Sequence, residues 1–512
     1  MTTVPWLTLL GLVPVVGAVI ILLLPKSRPV AAKAVALVFS VAALLLTVVI
    51  ALQFDGNSTE RFQFVERYPW IPMFRIDFAV GLDGIALVLI ALAAVLVPVA
   101  IISGWREPDE ASGGSAKAYY AWILVLETLM FGVFAATDVF LFYVFFEAML
   151  IPVYFLIGRF GGVQRSYAAV KFLIYSLVGG LLLLVAMIGL YVVSLQSVPG
   201  GTFDVATLGD IDMNLNTQLL LFLGFFIAFA IKAPLWPFHT WLPDAAGQAT
   251  PGTSILLIGV LDKVGTFGML RYCLPIFPAA ASFYAPVVIA LAVIGIFYGG
   301  YVALGQTDMK RIFAYSSLSH FGFIVLGIFV FTQIGTSGSV VYMVAHGLSV
   351  AALFGVAGYL MSRNRGSAQL GDYGGVIKPA PVLAGFFLFA CLSSLALPGL
   401  VSFVGEFMVL LGTFQRILWV GALATLGIVL TAAYVLRVYQ RTMTGPVAPS
   451  IAAIKDLSGR EITAMAPVVI LTLLLGFWPA PVLNAVNPAV DRTLAAVDAP
   501  PVGNPVSQGS DQ

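Results

Sequence analysis

An all-α polytopic membrane protein of about fourteen crossing helices is the fold this sequence predicts, and three observations predict it. First, 60% of the 512 residues are hydrophobic and only 10% are charged, with a mean hydropathy of +1.03. Water-soluble domains carry roughly 25% charged residues. Second, the apolar residues fall into runs of about 20, the length that crosses a hydrocarbon core as a helix. Third, 50 glycines and 29 prolines punctuate those runs, as closely packed and interrupted membrane helices tolerate. The net charge of +1 offers no basic field for nucleic acid.

Taken in order, hydropathy and helix breakers place spans at 4–24, 30–53, 79–103, 118–136, 138–158, 167–195, 217–247, 251–271, 283–304, 310–330, 338–361, 380–418, 419–442 and 464–485. The first run has no basic leader and no small-residue cleavage site, so it is expected to stay as a helix. The seventh and twelfth runs are too long for one crossing. The seventh contains Pro234, Pro237 and Pro243, and the twelfth contains Pro398 followed by Gly399. Proline removes a helical hydrogen bond and clashes with the preceding turn. Unwound backbone survives at membrane depth only where protein or water covers it. Both runs are therefore expected to be broken helices at a functional site. Lys232 precedes the first break and Glu406 follows the second. They lie five spans apart, the offset of copies in a repeated five-helix unit, and an odd number of crossings inverts successive copies.

Loop charge sets the expected orientation. Lys26, Arg28 and Lys33 follow span 1, and Arg159, Arg165 and Lys171 lie between spans 5 and 6. Later loops of the same parity hold Lys310, Arg311, Arg363, Arg365, Lys378, Arg437, Arg441, Lys455 and Arg460. Loops of the other parity are poor in Lys and Arg, and the one after span 6 carries Asp204, Asp210 and Asp212. Both termini are then expected outside. The polar, Pro- and Gly-rich tail from Asp498 is expected to be mobile. Trp6, Trp70 and Trp105 read as interface anchors.

The chemistry lies in ionisable residues inside apolar helices. Glu147 sits in FLFYVFFEAMLIPVYFLIG, Lys232 in FLGFFIAFAIKAPLWPFHTWL, Lys263 in ILLIGVLDKVGTFGML and Glu406 in LALPGLVSFVGEFMVLL. A charge at the bilayer centre costs about 2.5–3.5 kcal/mol on insertion scales, so such groups face a wet cavity or a partner. Glu147 and Lys232 make a candidate ion pair whose separation would set the proton affinity of the amine. A static pair that only fixes packing is the alternative. Asp262 precedes Lys263 and must project from another helix face. Histidine side chains ordinarily titrate near neutral pH, which makes His320 and His346 candidate proton carriers; His239 lies beside Pro237, and Glu406 supplies an acid at the second break. Such a series suits stepwise proton transfer. Glu127 and Asp138 are expected to pair with Lys171 or Arg165, and Ser316, Ser317 and Ser319 to line a water path. Cys273 and Cys391 are single, without C-x-x-C spacing, and neither G-x-G-x-x-G nor a P-loop occurs. No iron–sulfur cluster, structural zinc or nucleotide site is expected in this chain.

Six segments carry a resemblance when taken jointly: FEAMLIPVYFLIG, IKAPLWPFHTWLPDA, LDKVGTFGMLR, DMKRIFAYSSLSHFG, MVAHGLSVAALFGVAGYL and LALPGLVSFVGEF. From about Val80 to the fourteenth span the chain resembles the antiporter-like subunits of respiratory complex I, the bacterial NADH-quinone oxidoreductase. It most resembles their M-type branch. Glu406 stands where the L and N types and the related cation/proton antiporter subunits usually place lysine, and only a short tail follows span 14.

The resemblance implies fourteen helices, with broken helices 7 and 12 and two inverted five-helix repeats at spans 4–8 and 9–13. It divides the chain into 1–110 (helices 1–3), 111–275 (first repeat), 276–445 (second repeat) and 446–512 (helix 14 and a flexible tail). It also implies proton translocation through Glu147, Lys232, Lys263, His320, His346 and Glu406, without redox catalysis in this chain. The expected partners are L- and N-type antiporter-like subunits and membrane lipids of a bacterial cell membrane. Flavin, iron–sulfur clusters and quinone are expected in other subunits, with no cofactor or metal here. One departure is Ala246 in WLPDAAGQAT, where the family usually has histidine. Two alternatives use the same residues differently: a component of a multisubunit sodium/proton antiporter, and a non-conducting scaffold.

Overall fold

The computed structural model describes residues 4–25, 27–110 and 115–497. Lys26 and the tail from Asp498 lie outside them. Among the described residues, thirteen helices are long and apolar enough to cross a membrane. Two come first, α1 (Trp6–Leu23) and α2 (Pro29–Gln53), followed by the only two strands described, β1 (Gln63–Ile71) and β2 (Ile76–Leu82). Next are α3 (Gly84–Ser103), the short α4 (Glu107–Glu110) and α5 (Ala116–Ala135). The fifth crossing is α6 (Val139–Ala148) continued by α7 (Leu150–Phe160), and the sixth is α8 (Arg165–Ser194). After the short α9 (Val205–Gly209) come α10 (Leu215–Lys232) and α11 (Trp241–Gln248), separated by a break. The eighth crossing, Pro251–Ile276, is assembled from α12 (Pro251–Leu256), α13 (Lys263–Gly268) and α14 (Leu274–Ile276), with π-helical turns at Leu257–Leu261 and Met269–Cys273 between them. Then follow α15 (Pro278–Gly305), α16 (Met309–Phe329), α17 (Gln333–Arg363), α18 (Pro381–Ser394), α19 (Val401–Arg416), α20 (Leu418–Met443), α21 (Gly459–Phe477) and α22 (Ala480–Ala495). The broken pair α18 and α19 is the twelfth crossing of the sequence reading.

Burial differs sharply among the crossings. In the most apolar stretches of Pro251–Ile276 and α17 every residue is buried, against 28% in α2 and α21. The eighth crossing, α16 and α17, which carry Lys263, His320 and His346, thus lie at the centre together with the uniformly apolar α3, while α1, α2 and α21 lie at the rim. On α8, Leu177, Leu181, Val185, Ile188 and Val192 stand exposed at helical spacing, a stripe suited to lipid or to a neighbouring subunit.

Glycine brings central helices together, as is usual where packing rather than water drives association. A Cβ on Gly405 of α19 would lie 2.7 Å from Tyr342 Cα on α17, and one on Gly338 would lie 2.6 Å from Met408 Cβ. Likewise, a Cβ on Gly347 of α17 would lie 2.7 Å from the Gly259 carbonyl in the first π turn.

Two elements depart from the hydropathy reading. The β-hairpin is paired antiparallel with irregularities at Gln63/Glu66 and Pro69/Ile71, and turns through Pro72–Phe74 and a left-handed Arg75 (φ 51°). Its strands are far shorter than a crossing helix, and bulges interrupt their alternation. The fourteenth crossing ends at Phe477 rather than near 485, because Trp478 before Pro479 leaves the helical region (φ −136°, ψ 73°). The chain restarts as α22, which buries Val486, Ala489, Val490 and Leu494 as it packs on α3 and α17.

Candidate functional site: a buried polar axis

The seventh crossing is broken where its prolines stand. Helix α10 stops at Lys232, irregular turns carry Pro234, Pro237 and His239, and α11 restarts at Trp241. Trp241 Nε1 donates to the Ile231 carbonyl at 2.9 Å and so satisfies backbone freed by the break. Lys232 is buried, its amine 5.1 Å from the centroid of Phe146 and 5.7 Å from that of Phe172. A desolvated ammonium over two aromatic faces gains roughly 1–2 kcal/mol from each. Glu147 lies against Gly180 of α8, where any Cβ would collide with its carboxylate. The ion pair expected from the sequence is open here: neither Lys232 Nζ nor Glu147 Oε1 has a hydrogen-bond partner. Coulomb interaction still links the two groups.

The eighth crossing delivers Lys263 to the centre. Its amine donates to the Ile258 carbonyl and lies 2.8 Å from His346 Nδ1 on α17. The Gly259–Gly347 approach sets that contact, since Gly347 neighbours His346. Across α17, the His346 and His320 rings stand 5.4 Å apart, centroid to centroid. His320 Nδ1 is 2.6 Å from the Tyr342 hydroxyl, which donates to Glu406 Oε2 at 2.6 Å. With Tyr342 donating to Glu406, its oxygen accepts from a protonated His320 Nδ1. The Gly405–Tyr342 approach brings Glu406, the next residue, into reach.

The second break is built as the sequence predicts. Between α18 and α19, Ala396 (φ 56°) and Gly399 (φ 94°) take left-handed conformations around Pro398. Serines hold its flanks to α16 and α17: Ser349 Oγ meets Ser393 Oγ at 2.6 Å and Ser402 Oγ at 2.9 Å, and Ser394 Oγ lies 3.4 Å from His320 Nε2.

Lys263, His346, His320 and Glu406 therefore converge through direct contacts or facing rings, while Glu147 and Lys232 form a neighbouring unit at the first break. Two further residues belong here. Tyr342 bridges His320 and Glu406; its signal was spacing, because it precedes His346 by four residues and shares its helix face. Asp262 is fully buried with both carboxylate oxygens unpartnered, and the charges of Lys232 and Lys263 both act on it.

Other expectations are corrected. Lys171 pairs with Asp244 at 2.7 Å, and Arg311 pairs with the same carboxylate at 2.8 Å. Glu127 is buried without a hydrogen-bond partner, and Asp138 caps α6 by accepting from Leu141 N–H at 2.9 Å. Ser317 and Ser319 donate to the carbonyls of Phe313 and Ile296, and Ser316 meets the Tyr434 hydroxyl at 2.7 Å. Each of the three hydroxyls has a protein partner. His239 packs edge-on against Tyr298, away from the axis contacts, with both ring nitrogens unpartnered. Ala246 is buried, and Ser254 Oγ donates to its carbonyl at 3.4 Å. Trp70 stands half exposed on β1 and Trp105 beneath the Lys33 amine, 5.8 Å from the ring centroid. Among the described residues no three His, Cys, Asp or Glu side chains gather as a metal ligand set.

A rim of apolar helices around an axis of acid, amine and imidazole groups defines an antiporter-like membrane subunit. Similarity to known proteins narrows the class. The family profile described as "NADH:quinone oxidoreductase/Mrp antiporter, TM" matches residues 136–431. NADH-quinone oxidoreductase subunit M of Mycobacterium tuberculosis (strain ATCC 25618 / H37Rv) is 49% identical over 542 residues, covering 99% of this chain and 98% of its own length. The subunit M of Rhodobacter capsulatus is 40% identical, covering 94% of this chain and 95% of its own. In the structure of respiratory complex I from Thermus thermophilus with bound NADH, one chain superposes with a TM-score of 0.87 at 31% identity, covering 96% of this chain and 99% of that one. A chain of the Mrp complex from Dietzia sp. DQ12-45-1b shares the fold at a TM-score of 0.80 and 22% identity, covering 94% of this chain and 52% of that one.

The chain belongs to the NADH-quinone oxidoreductase subunit M family, the antiporter-like membrane subunits of complex I. It is a multi-pass, proton-pumping membrane-arm subunit of that assembly, and its likeness to the Mrp antiporters is distant.

Proposed function

We propose that protons cross this subunit along the buried axis, with Glu147 and Lys232 as the switch, Lys263, His346 and His320 as carriers, and Glu406 as the terminal acid. The observation that carries this reading is the run of short contacts from Lys263 to His346 and from His320 through Tyr342 to Glu406. A proton passes from the Lys263 ammonium to His346 Nδ1. The step to His320 is short enough for ring rotation or one bridging water. His320 Nδ1–H then donates to Tyr342 as Tyr342 releases its own proton to Glu406. The acid Glu406 and a reoriented Tyr342 mark the completed transfer. Closing and opening of the Glu147–Lys232 pair alternately holds and frees the proton at the start of the axis.

Electron transfer from NADH to quinone, with its flavin and iron–sulfur clusters, takes place in other subunits and drives that switch. L- and N-type subunits are the neighbours. The two inverted repeats, 111–275 and 276–445, present one break each to the axis. Both termini face the outer side of a bacterial cell membrane, by the Lys and Arg loop asymmetry.

The test compares Lys232→Ala and Lys263→Ala with the parent in native membranes, after a native gel shows assembled complex. NADH-driven proton pumping and NADH-to-quinone electron transfer should both be lost. Normal pumping by both assembled variants would make the lysines structural. Gradient-driven sodium/proton exchange that survives removal of electron transfer would instead support the antiporter reading.

A further inference from the structure

We propose that Asp262 is the proton carrier between Lys232 and Lys263, joining the switch at the first break to the axis in the second half of the bundle. The proposal rests on the relay reading above and adds the step that it leaves open.

The geometry comes from the first π turn. Asp262 N–H donates to the Leu257 carbonyl, five residues back, at 3.3 Å. Such a turn holds one extra residue, commonly at functional sites. Gly265, three residues on, shares the Asp262 face of the segment. That face is pressed against the end of α10: a Cβ on Gly265 would lie 2.5 Å from Ala233 N and 2.6 Å from Ala233 Cβ. Ala233 follows Lys232. Lys263 lies on the adjacent face and reaches His346 on α17. Consecutive residues therefore address the two halves, Asp262 towards Lys232 and Lys263 towards His346.

No protein group satisfies the carboxyl by hydrogen bonding. Asp262 is fully buried and neither oxygen has a hydrogen-bond partner. The charged groups that act on it are Lys232 from α10 and Lys263 from its own segment. Of the other packed helices, α5 brings Phe134 edge-on to Phe267, and α17 brings Met343, which accepts from Thr266 Oγ1 at 2.9 Å, and the titratable His346 on the Lys263 side. An unpartnered carboxyl in such a place costs several kcal/mol and marks a functional residue.

The step conserves charge and atoms. The Lys232 ammonium gives its proton to the Asp262 carboxylate, leaving a neutral amine and a carboxylic acid. Asp262 then gives the proton to the neutral Lys263 amine, which has already passed its own to His346. Carboxylate and ammonium are restored one position along the axis.

The test uses the assembled complex in native membranes with Asp262→Asn, Asp262→Glu and Lys263→Ala. Asp262→Asn keeps shape and cannot carry a proton, so NADH-driven pumping should fall at least tenfold with assembly intact. Asp262→Glu should restore most of the rate and shift its pH profile, which a merely structural side chain would leave in place. Parent-level pumping by Asp262→Asn beside a dead Lys263→Ala overturns this proposal alone. Parent-level pumping by both overturns the relay reading beneath it. If Asp262→Asn does not assemble, Asp262→Glu decides, and an unchanged pH profile counts against the proposal.

Discussion

Replacing Tyr342 by phenylalanine is the most specific perturbation the axis offers. The ring stays, so packing of Tyr342 against Gly405 and Phe323 is retained. The hydroxyl is lost, and with it both 2.6 Å contacts, to His320 Nδ1 and Glu406 Oε2. His320 and Glu406 are then separated by roughly two hydrogen-bond lengths, too far for direct proton transfer. A hydrogen bond to a charged group contributes about 1.5–3 kcal/mol, and each 1.4 kcal/mol is tenfold. Pumping should therefore fall about 10- to 100-fold. The assay is NADH-driven quenching of a pH-sensitive dye in inverted vesicles, with electron transfer measured alongside and assembly checked on a native gel. Adding Glu406→Gln should cost little more, because two groups in one wire are not additive. An assembled Tyr342→Phe complex that pumps within twofold of the parent would refute the Tyr342 relay.

Further expectations rest on other parts of the molecule. Gly405→Ala places a methyl 2.7 Å from Tyr342 Cα, an overpacking that costs about 1–3 kcal/mol; less assembled complex on a native gel is expected, and normal assembly would contradict the close α17–α19 approach. Glu107, the first residue of the short α4 that connects α3 to α5, accepts from Gly252 N–H at 2.9 Å and from the Tyr119 hydroxyl at 2.8 Å, and burial outweighs these donors in raising its carboxyl above the ordinary value of 4.5. A carboxyl raised in the fold adds stability that is fully present below its unfolded value and fades as pH climbs through its folded one. Thermal unfolding of detergent-solubilised complex should thus depend less on pH above 4.5 in Glu107→Gln than in the parent; identical profiles would show that Glu107 keeps its proton in neither state.

Much of this architecture was legible because lipid imposes simple rules. Crossing length and breakers located the spans, and Pro234 and Pro398 announced both interruptions, since proline in a buried run cannot keep its helix hydrogen bond. The titratable residues stood out against apolar neighbours. Other features had weaker signatures. The hairpin strands, nine and seven residues long, are too short for a window of membrane length, and Pro479 was the only warning that α21 would stop and α22 begin. The Glu147–Lys232 distance depends on helix positions that spacing does not specify, so the open pair was unreadable. Tyr342 carried a readable sign in its position one turn before His346, but tyrosine in an apolar helix usually packs. Asp262 was expected on a face apart from Lys263; the π turn and the close approach of Gly265 to Ala233, on which its proposed role rests, are not encoded in hydropathy.

In the proposed relay a proton ends its passage on Glu406. Glu406→Gln keeps size and can still accept from Tyr342, but it carries no exchangeable acid proton. Measuring NADH-driven proton pumping by assembled complex bearing this one change tests the claim most directly. Loss of pumping with the complex intact is expected, and pumping at the parent rate would contradict a terminal role for Glu406.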